Sequence, residues 1–307
     1  MTFDTIITGG TVHSATTSAK LDIGIRGEQI AAVAASGSLK ADKKSRTIDA
    51  SGMDVIPGCL DVHVHLALPF CGTVSCDDFD SGARAAACGC ITTVIDFAIP
   101  GKDQSLADAD KVWHAKSDGI SHIDYAWHLA ITNKRHIDEI PAMVKKGLPT
   151  FKEFMIYESE GWNSDDAMLY ASLEQIHSQG PGAAMLLLHA ESPRVLDLLI
   201  ARMHTPALMK KHGAKLHAMT RPNFIEAEAI ERAIHISSVT GGNLYIVHMS
   251  TGEGADLIKA AQAKGVPVIA ETCVQYLSID DSVFAGKDGH LYACCPQVKK
   301  KADIQRL

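Results

Sequence analysis

Two histidines one residue apart, His63 and His65, follow an apolar run from Met53 to Leu60. Read as the end of a buried β-strand, Met53–His65, the run puts both imidazoles on one face, because residues i and i+2 of a strand project the same way. Two imidazoles converging on one point are what a transition-metal ion takes as ligands. An isolated H-x-H fits two unrelated strand-end histidines equally well, so the rest of the chain has to decide. His189, in LLLHAES, and His248, in YIVHMST, each close a further apolar run, and Lys152 sits inside another, TFKEF. A lysine ammonium has no lone pair to offer a metal. Burial beside cations depresses its pKa, and the neutral amine can then add carbon dioxide. The resulting carbamate is a bidentate anion able to bridge two cations. A Schiff-base lysine is the competing chemistry, and it leaves four histidines without a task.

The elements that would position these groups follow from the alternation of apolar runs with helical periodicity. Strands are expected at Met53–His65, Thr92–Phe97, Ile123–Ala130, Thr150–Ile156, Ala184–His189, Asn243–His248 and Val266–Glu271. Helices are expected between them at Ser81–Cys88, Leu106–Ser117, Ile137–Lys146, Ala167–His177, Pro193–Met203, Glu226–Thr240 and Gly254–Ala263. Repeated β-then-α with near-continuous apolar strands implies a parallel sheet covered by helices. An α/β fold of the (β/α)8 TIM-like barrel type is expected for residues 53–307. No G-x-G-x-x-G follows any strand, which argues against a doubly wound sheet. Active groups of such barrels stand at the C-terminal ends of the strands. There the four histidines and Lys152 would share one height.

Residues 1–52 read differently. Short β-like runs at Thr5–Thr8, Asp22–Arg26, Gln29–Ala34 and Arg46–Asp49 are separated by Gly-rich turns, suggesting antiparallel strands of a small β-sandwich portion. A barrel needs eight strands, and seven are counted before Leu307. The sequence therefore reads as the N-terminal two-thirds of a longer protein, truncated before strand eight.

Composition bounds the partners. The chain of 307 residues carries a net charge of −7 and has no long basic run, so neither nucleic acid nor an anionic membrane surface is expected to bind. No apolar stretch is long enough to span a bilayer, and MTFDTIITGG lacks the features of a signal peptide. Eight cysteines without a C-x-x-C pair read as reduced, mostly buried thiols of a cytoplasmic protein.

Seven stretches together resemble the cyclic amidohydrolases of the metal-dependent amidohydrolase superfamily, most closely the D-hydantoinases and dihydropyrimidinases. They are GCLDVHVHLALPFCGTVSCDDF, TTVIDF, TFKEFMIY, LLLHAES, HAMTRPNFIEAEAI, LYIVHMST and IAETCVQYL. The resemblance implies that His63 and His65 bind one divalent metal, most simply zinc, and His189 and His248 a second. Carboxylated Lys152 would bridge them, and Tyr157 would hydrogen-bond the oxyanion. Dihydroorotases carry an arginine two residues past the second histidine, and allantoinases a polar N-E-P run there. This chain has Leu66-Ala67-Leu68-Pro69-Phe70, an apolar loop resembling that of hydantoinases. Leu66 and Phe70 are thereby candidate contacts for a ring with a hydrophobic substituent.

The family's C-S-P-P stretch, whose serine backbone grips the substrate amide, appears here as Cys294-Cys295-Pro296-Gln297, which makes Cys295 a substrate-binding candidate. Glu153 and Ile156 replace an apolar and a small residue of the family pattern. The resemblance implies hydrolysis of hydantoins or dihydropyrimidines to N-carbamoyl amino acids, in a homotetramer, with an aspartate on strand eight moving the proton. Three other readings stand beside it. One is a non-catalytic assembly protein of the dihydropyrimidinase-like kind, another an inactive fragment, and the third an amidohydrolase for another ring such as allantoin. Retention of His63, His65, Lys152, His189 and His248 favours the enzyme.

Overall fold

A computed structural model describes residues 2–307, which divide into two compact units. One runs up to Leu60 and takes in Ala86–Thr93; the other is Asp61–Ala85 with Val94–Leu307.

The first unit is built on β1 (Thr5–Thr8), β2 (Thr11–His13), β3 (Ser18–Arg26), β4 (Gln29–Ala35), β5 (Arg46–Asp49) and β6 (Asp54–Val55), in the order β5-β1-β3-β2-β6 with β4 also on β3. The turns expected from sequence do make antiparallel pairs, β1–β3, β2–β3 and β3–β4. The β1–β5 and β2–β6 pairs are parallel, so the expectation of a purely antiparallel module is corrected. Phe3, Ile6 and Ile23 are buried in this unit. Gly24 is required there, because a Cβ on it would lie 2.6 Å from the Phe3 ring.

The expected single strand Met53–His65 is also corrected. It is two short pieces, β6 and β7 (Cys59–Asp61), interrupted at Pro57-Gly58. Proline offers no ladder donor, and Gly58 packs so closely on Thr92 that a Cβ would overlap its side chain. Met53, Ile56 and Leu60 are exposed, so the apolar run is not a buried strand.

In the second unit β8 (Pro69–Phe70) and β9 (Thr73–Val74) form a hairpin. Helix α1 (Ser81–Cys88) leads to β10 (Ile91–Ala98), followed by α2 (Leu106–Ser117), β11 (Asp124–Ala130) and α3 (Arg135–Lys146). Next come β12 (Thr150–Phe154), α4 (Asp166–Ser178), β13 (Met185–His189), α5 (Pro193–Met203), α6 (Pro206–His212) and α7 (Lys215–Met219). The succession continues with α8 (Asn223–Thr240), β14 (Leu244–Ile246), α9 (Gly252–Ala263), β15 (Val268–Ala270) and α10 (Val274–Ser278). The sheet order is β15-β14-β13-β12-β11-β10-β7, so each strand neighbours the next in sequence and no switch point occurs. The registered pairs from β11 to β15 are parallel. On the central strands β12 and β13 every residue after the first is buried, on both faces, as a helix-covered parallel sheet requires.

Some helices begin where a side chain satisfies a free N–H group. Ser105 and Asp108 form a capping box on α2, Asp165 caps α4 and Thr251 caps α9. No helix is long and apolar enough to cross a membrane among the described residues. All eight cysteines are free, but five are exposed and three partly buried, which corrects the expectation of mostly buried thiols. Several stand at turns instead of in strands; Cys71 and Cys90 both have positive φ.

Candidate active site

The strand register sets the depth of each group. Lys152 on β12 pairs with Leu187, while Phe154 pairs with His189, so the lysine backbone lies two residues deeper than His189. The expectation of one common height is corrected by that step, roughly 6.6 Å along a strand. The four methylenes of the lysine reach across it. The side chain is fully buried, with Nζ 5.1 Å from the Phe97 ring centre and 4.9 Å from that of Phe154.

The chain leaves β7 when Asp61 turns back to accept a hydrogen bond from the His63 N–H at 3.1 Å. His63 and His65 thus stand just past the strand, their ring centres 5.3 Å apart and both against Phe97. The His248 ring is 5.0 Å from His63 and 4.5 Å from His189. The structure therefore brings all four histidines into one chain of ring neighbours. His248 is held there by the segment after it: buried Glu226 of α8 accepts from the Ser250 N–H at 2.8 Å and the Thr251 N–H at 3.1 Å.

Carboxylates orient three of these groups. Glu271, one residue past β15, accepts from His63 Nδ1, from the Tyr245 hydroxyl at 2.8 Å and from the His248 N–H at 3.1 Å. Glu191 takes His189 Nε2 at 2.8 Å and lies 3.8 Å from Arg221 Nε. His128 fixes the segment before His63 through the Val62 carbonyl, 3.1 Å away. Sequence reasoning missed Glu271, Glu191 and His128, although Glu271 ends an expected strand and obeys the rule that found the histidines.

Burial dominates the electrostatics. It pushes Lys152 down to about 7, against the pull of the Glu271 and Cys273 charges. Burial also lowers His63 and His189 against the pull of Glu271 and Glu191, and lowers His248 well below the usual imidazole range. Neutral imidazoles keep lone pairs available to an ion. Burial alone would raise Glu271, but its hydrogen bond to His63 holds it below the usual carboxylate range.

Tyr157 sits just past β12 with φ 73° and ψ 41°, a left-handed backbone that a bulky residue rarely adopts. Its ring is 5.2 Å from that of His189, and burial keeps its hydroxyl protonated well above the usual range. Phe70, at the tip of the β8–β9 hairpin, stacks on Trp162 at 5.4 Å and meets Tyr157 edge-on at 5.2 Å. Cys295 lies beside the Tyr157 hydroxyl, its thiol pushed up to about 11 by burial. Leu66 is buried against Gly82 of α1 and does not join this wall. Nor do the two residues that depart from the family pattern. Glu153 turns outward to the Ser172 hydroxyl on α4, and Ile156 packs with Leu196 and Ile225.

The D-hydantoinase of Streptomyces coelicolor is 35% identical over 308 residues, covering 98% of this chain and 64% of its own. That of Geobacillus stearothermophilus is 36% identical over 302 residues, covering 96% and 62%. The crystal structure of dihydropyrimidinase from Brevibacillus agri matches with a TM-score of 0.90 at 33% identity, over 98% of this chain and 64% of that one. Over nearly its whole length this chain is similar to D-hydantoinases and to a dihydropyrimidinase. It spans less than two thirds of the length of these hydantoinase relatives. No family model matches it.

The donor chemistry suits divalent ions. Lys152 Nζ and His248 Nδ1 are buried polar atoms without a hydrogen-bond partner, and such atoms are costly unless something binds them. Among the described residues no three His, Cys, Asp or Glu side chains form a metal-holding group. The cluster is of another kind, four neighbouring imidazoles with a buried lysine near enough for its charge to act on each of them.

Proposed function

We propose that the cluster is the metal centre of a cyclic amidohydrolase that opens hydantoin or dihydropyrimidine rings to N-carbamoyl amino acids. The observation that carries this reading is Lys152, fully buried, without a partner for Nζ and pushed down to about 7. Such an amine adds carbon dioxide at neutral pH, releasing one proton and leaving a carbamate with two ligating oxygens. His63 and His65 would hold one divalent ion and His189 and His248 the other, zinc being the metal the resemblance implies. When bound, the ions polarise the ring carbonyl and acidify water near neutral pH.

The remaining work falls to this chain's side chains. Tyr157, protonated and beside His189, donates to the oxygen on which charge develops; one such donor is commonly worth about 2.7–4 kcal/mol. Glu271 and Glu191 accept from His63 and His189, fixing each ring's orientation and raising its basicity as a ligand. Phe70 and Trp162 offer an aromatic wall to a ring substituent. Cys295, beside Tyr157, would contact the substrate amide through its backbone.

The consecutive strand order supports reading residues 53–307 as part of a (β/α)8 barrel, with residues 1–52 contributing to a β-sandwich domain. The resemblance further implies a cytoplasmic homotetramer. The reading is tested on Lys152→Ala by elemental analysis and on the unaltered chain by carbon-13 NMR after equilibration with labelled bicarbonate. Loss of both metals in the variant and a carbamate carbon signal in the parent are expected. Full metal content in the variant overturns the bridging role.

A further inference from the structure

The link between α6 and α7 and the turn after Phe284 line a cavity of about 560 Å³. Its charged and titratable side chains are Lys211, His212, Lys215, Lys287 and His290, and no carboxylate lines it. Among the described residues the lysines that form ion pairs are Lys111, Lys146 and Lys300, and none of these reaches the cavity. Asp288, next to Lys287, is exposed and outside the lining. On a chain with 36 acidic and 29 basic residues, three unpaired lysines around one hollow are an uncompensated concentration of charge.

Gly213 lies in the lining of the hollow. Gly213 has φ 54° and ψ −135°, a combination close to glycine-only territory, and a Cβ on it would meet nothing within 4 Å. The glycine is therefore required by the turn and not by crowding, and the turn lies between Lys211 and Lys215, both of which line the cavity. Phe284 supplies a buried apolar floor, its ring 6.2 Å from that of His217.

We propose that this cavity is a second binding site, for a small molecule bearing a multiply charged oxyanion. Lysines act as compact point charges and do not impose the planar fork of arginine, which suits an anion whose charge is spread over several oxygens. The volume falls within the range of small-molecule pockets, and the Phe284 floor accommodates an apolar portion. This site is separate from the reading of the histidine cluster and does not depend on it.

The test is calorimetric titration of the full chain at low ionic strength with inorganic pyrophosphate and, separately, with citrate. The same titrations are run on a variant carrying Lys211→Gln with Lys287→Gln. Saturable binding that weakens at least about tenfold in the variant supports the site, that factor matching the loss of two charge-assisted contacts. Tighter binding of pyrophosphate assigns a phosphate-bearing ligand, and tighter binding of citrate a polycarboxylate. Pyrophosphate also chelates divalent ions, so affinity that is equal in parent and variant overturns the proposal. Absence of saturable binding in both arms overturns it as well. Both lysines are exposed, and circular dichroism of the variant confirms that the fold is retained.

Discussion

Glu271 accepts a hydrogen bond from the imidazole of His63, 208 positions earlier in the chain. The contact joins the start of the second unit to the segment just past β15 and fixes which ring nitrogen of His63 faces the cluster. Replacing the carboxylate by an amide weakens that orientation without removing a ligand. Glu271→Gln is expected to lower zinc affinity by about 10- to 100-fold, as for other partners of ligating histidines. Competition against a chromogenic chelator measures it; an unchanged affinity would show that His63 needs no such support.

Tyr157→Phe removes the donor and keeps the ring that packs on Phe70 and Trp162. Ring opening of a 5-substituted hydantoin is expected to slow by about 100- to 1000-fold in kcat. KM and metal content should stay near the parent's values. A fall in metal content instead would place the tyrosine in metal binding.

Glu153 gives a pH prediction. Burial pushes its carboxyl up to about 7, against the hydrogen bond from the Ser172 hydroxyl. The folded pKa is raised, so the group favours the fold below the unfolded value of 4.5, and that advantage is lost as pH rises through about 7. At higher pH the buried carboxylate costs up to about 3 kcal/mol. Glu153→Gln should therefore be more stable than the parent at pH 8, with the gap closing toward pH 5. Urea melts at both pH values decide it; a gap of equal size at each would refute the burial argument.

The β8–β9 turn offers a stabilising change. Cys71 and Gly72 have φ of 51° and 76°, and Cys71 is exposed. Two positive φ values at a two-residue turn favour Asn-Gly. Cys71→Asn is expected to raise stability by roughly 0.5 kcal/mol, since asparagine tolerates the left-handed region better. Thermal melts of the two proteins check the sign.

The histidines were legible because a strand-end position is a simple geometric rule and their apolar lead-in runs are long. Helix bounds at Ser81–Cys88, Leu106–Ser117 and Pro193–Met203 were legible too, helped by the capping box at Ser105 and the proline that opens Pro193–Met203. Met53–His65 misled because apolar content hides the break that Pro57 and Gly58 impose on the backbone. Glu271 escaped because a carboxylate after a strand resembles an ordinary chain exit until its partner, 208 positions away, is known, and Glu191 because two residues after a strand its side chain could as well face solvent. Leu66 shows the converse: an apolar residue beside the histidines fits a substrate wall by sequence, yet Gly82 leaves a gap in α1 that receives it. The cavity around Lys211 and Lys287 was invisible because 76 positions separate residues that only the fold brings together.

Tyr157 and His248 share a property that bears on the order in which the molecule assembles. Both hold positive φ, 73° and 39°, which an unfolded chain seldom samples at a tyrosine or a histidine. Neither conformation is encoded by its own neighbourhood; each is imposed by packing already in place. The sheet does not need these conformations in order to pair, so the step that sets Tyr157 against His189 is expected to come late in folding. Maturation of the cluster then becomes a kinetic event distinct from collapse. It would be visible as near-ultraviolet tyrosine and tryptophan signals that lag behind recovery of the backbone signal during refolding.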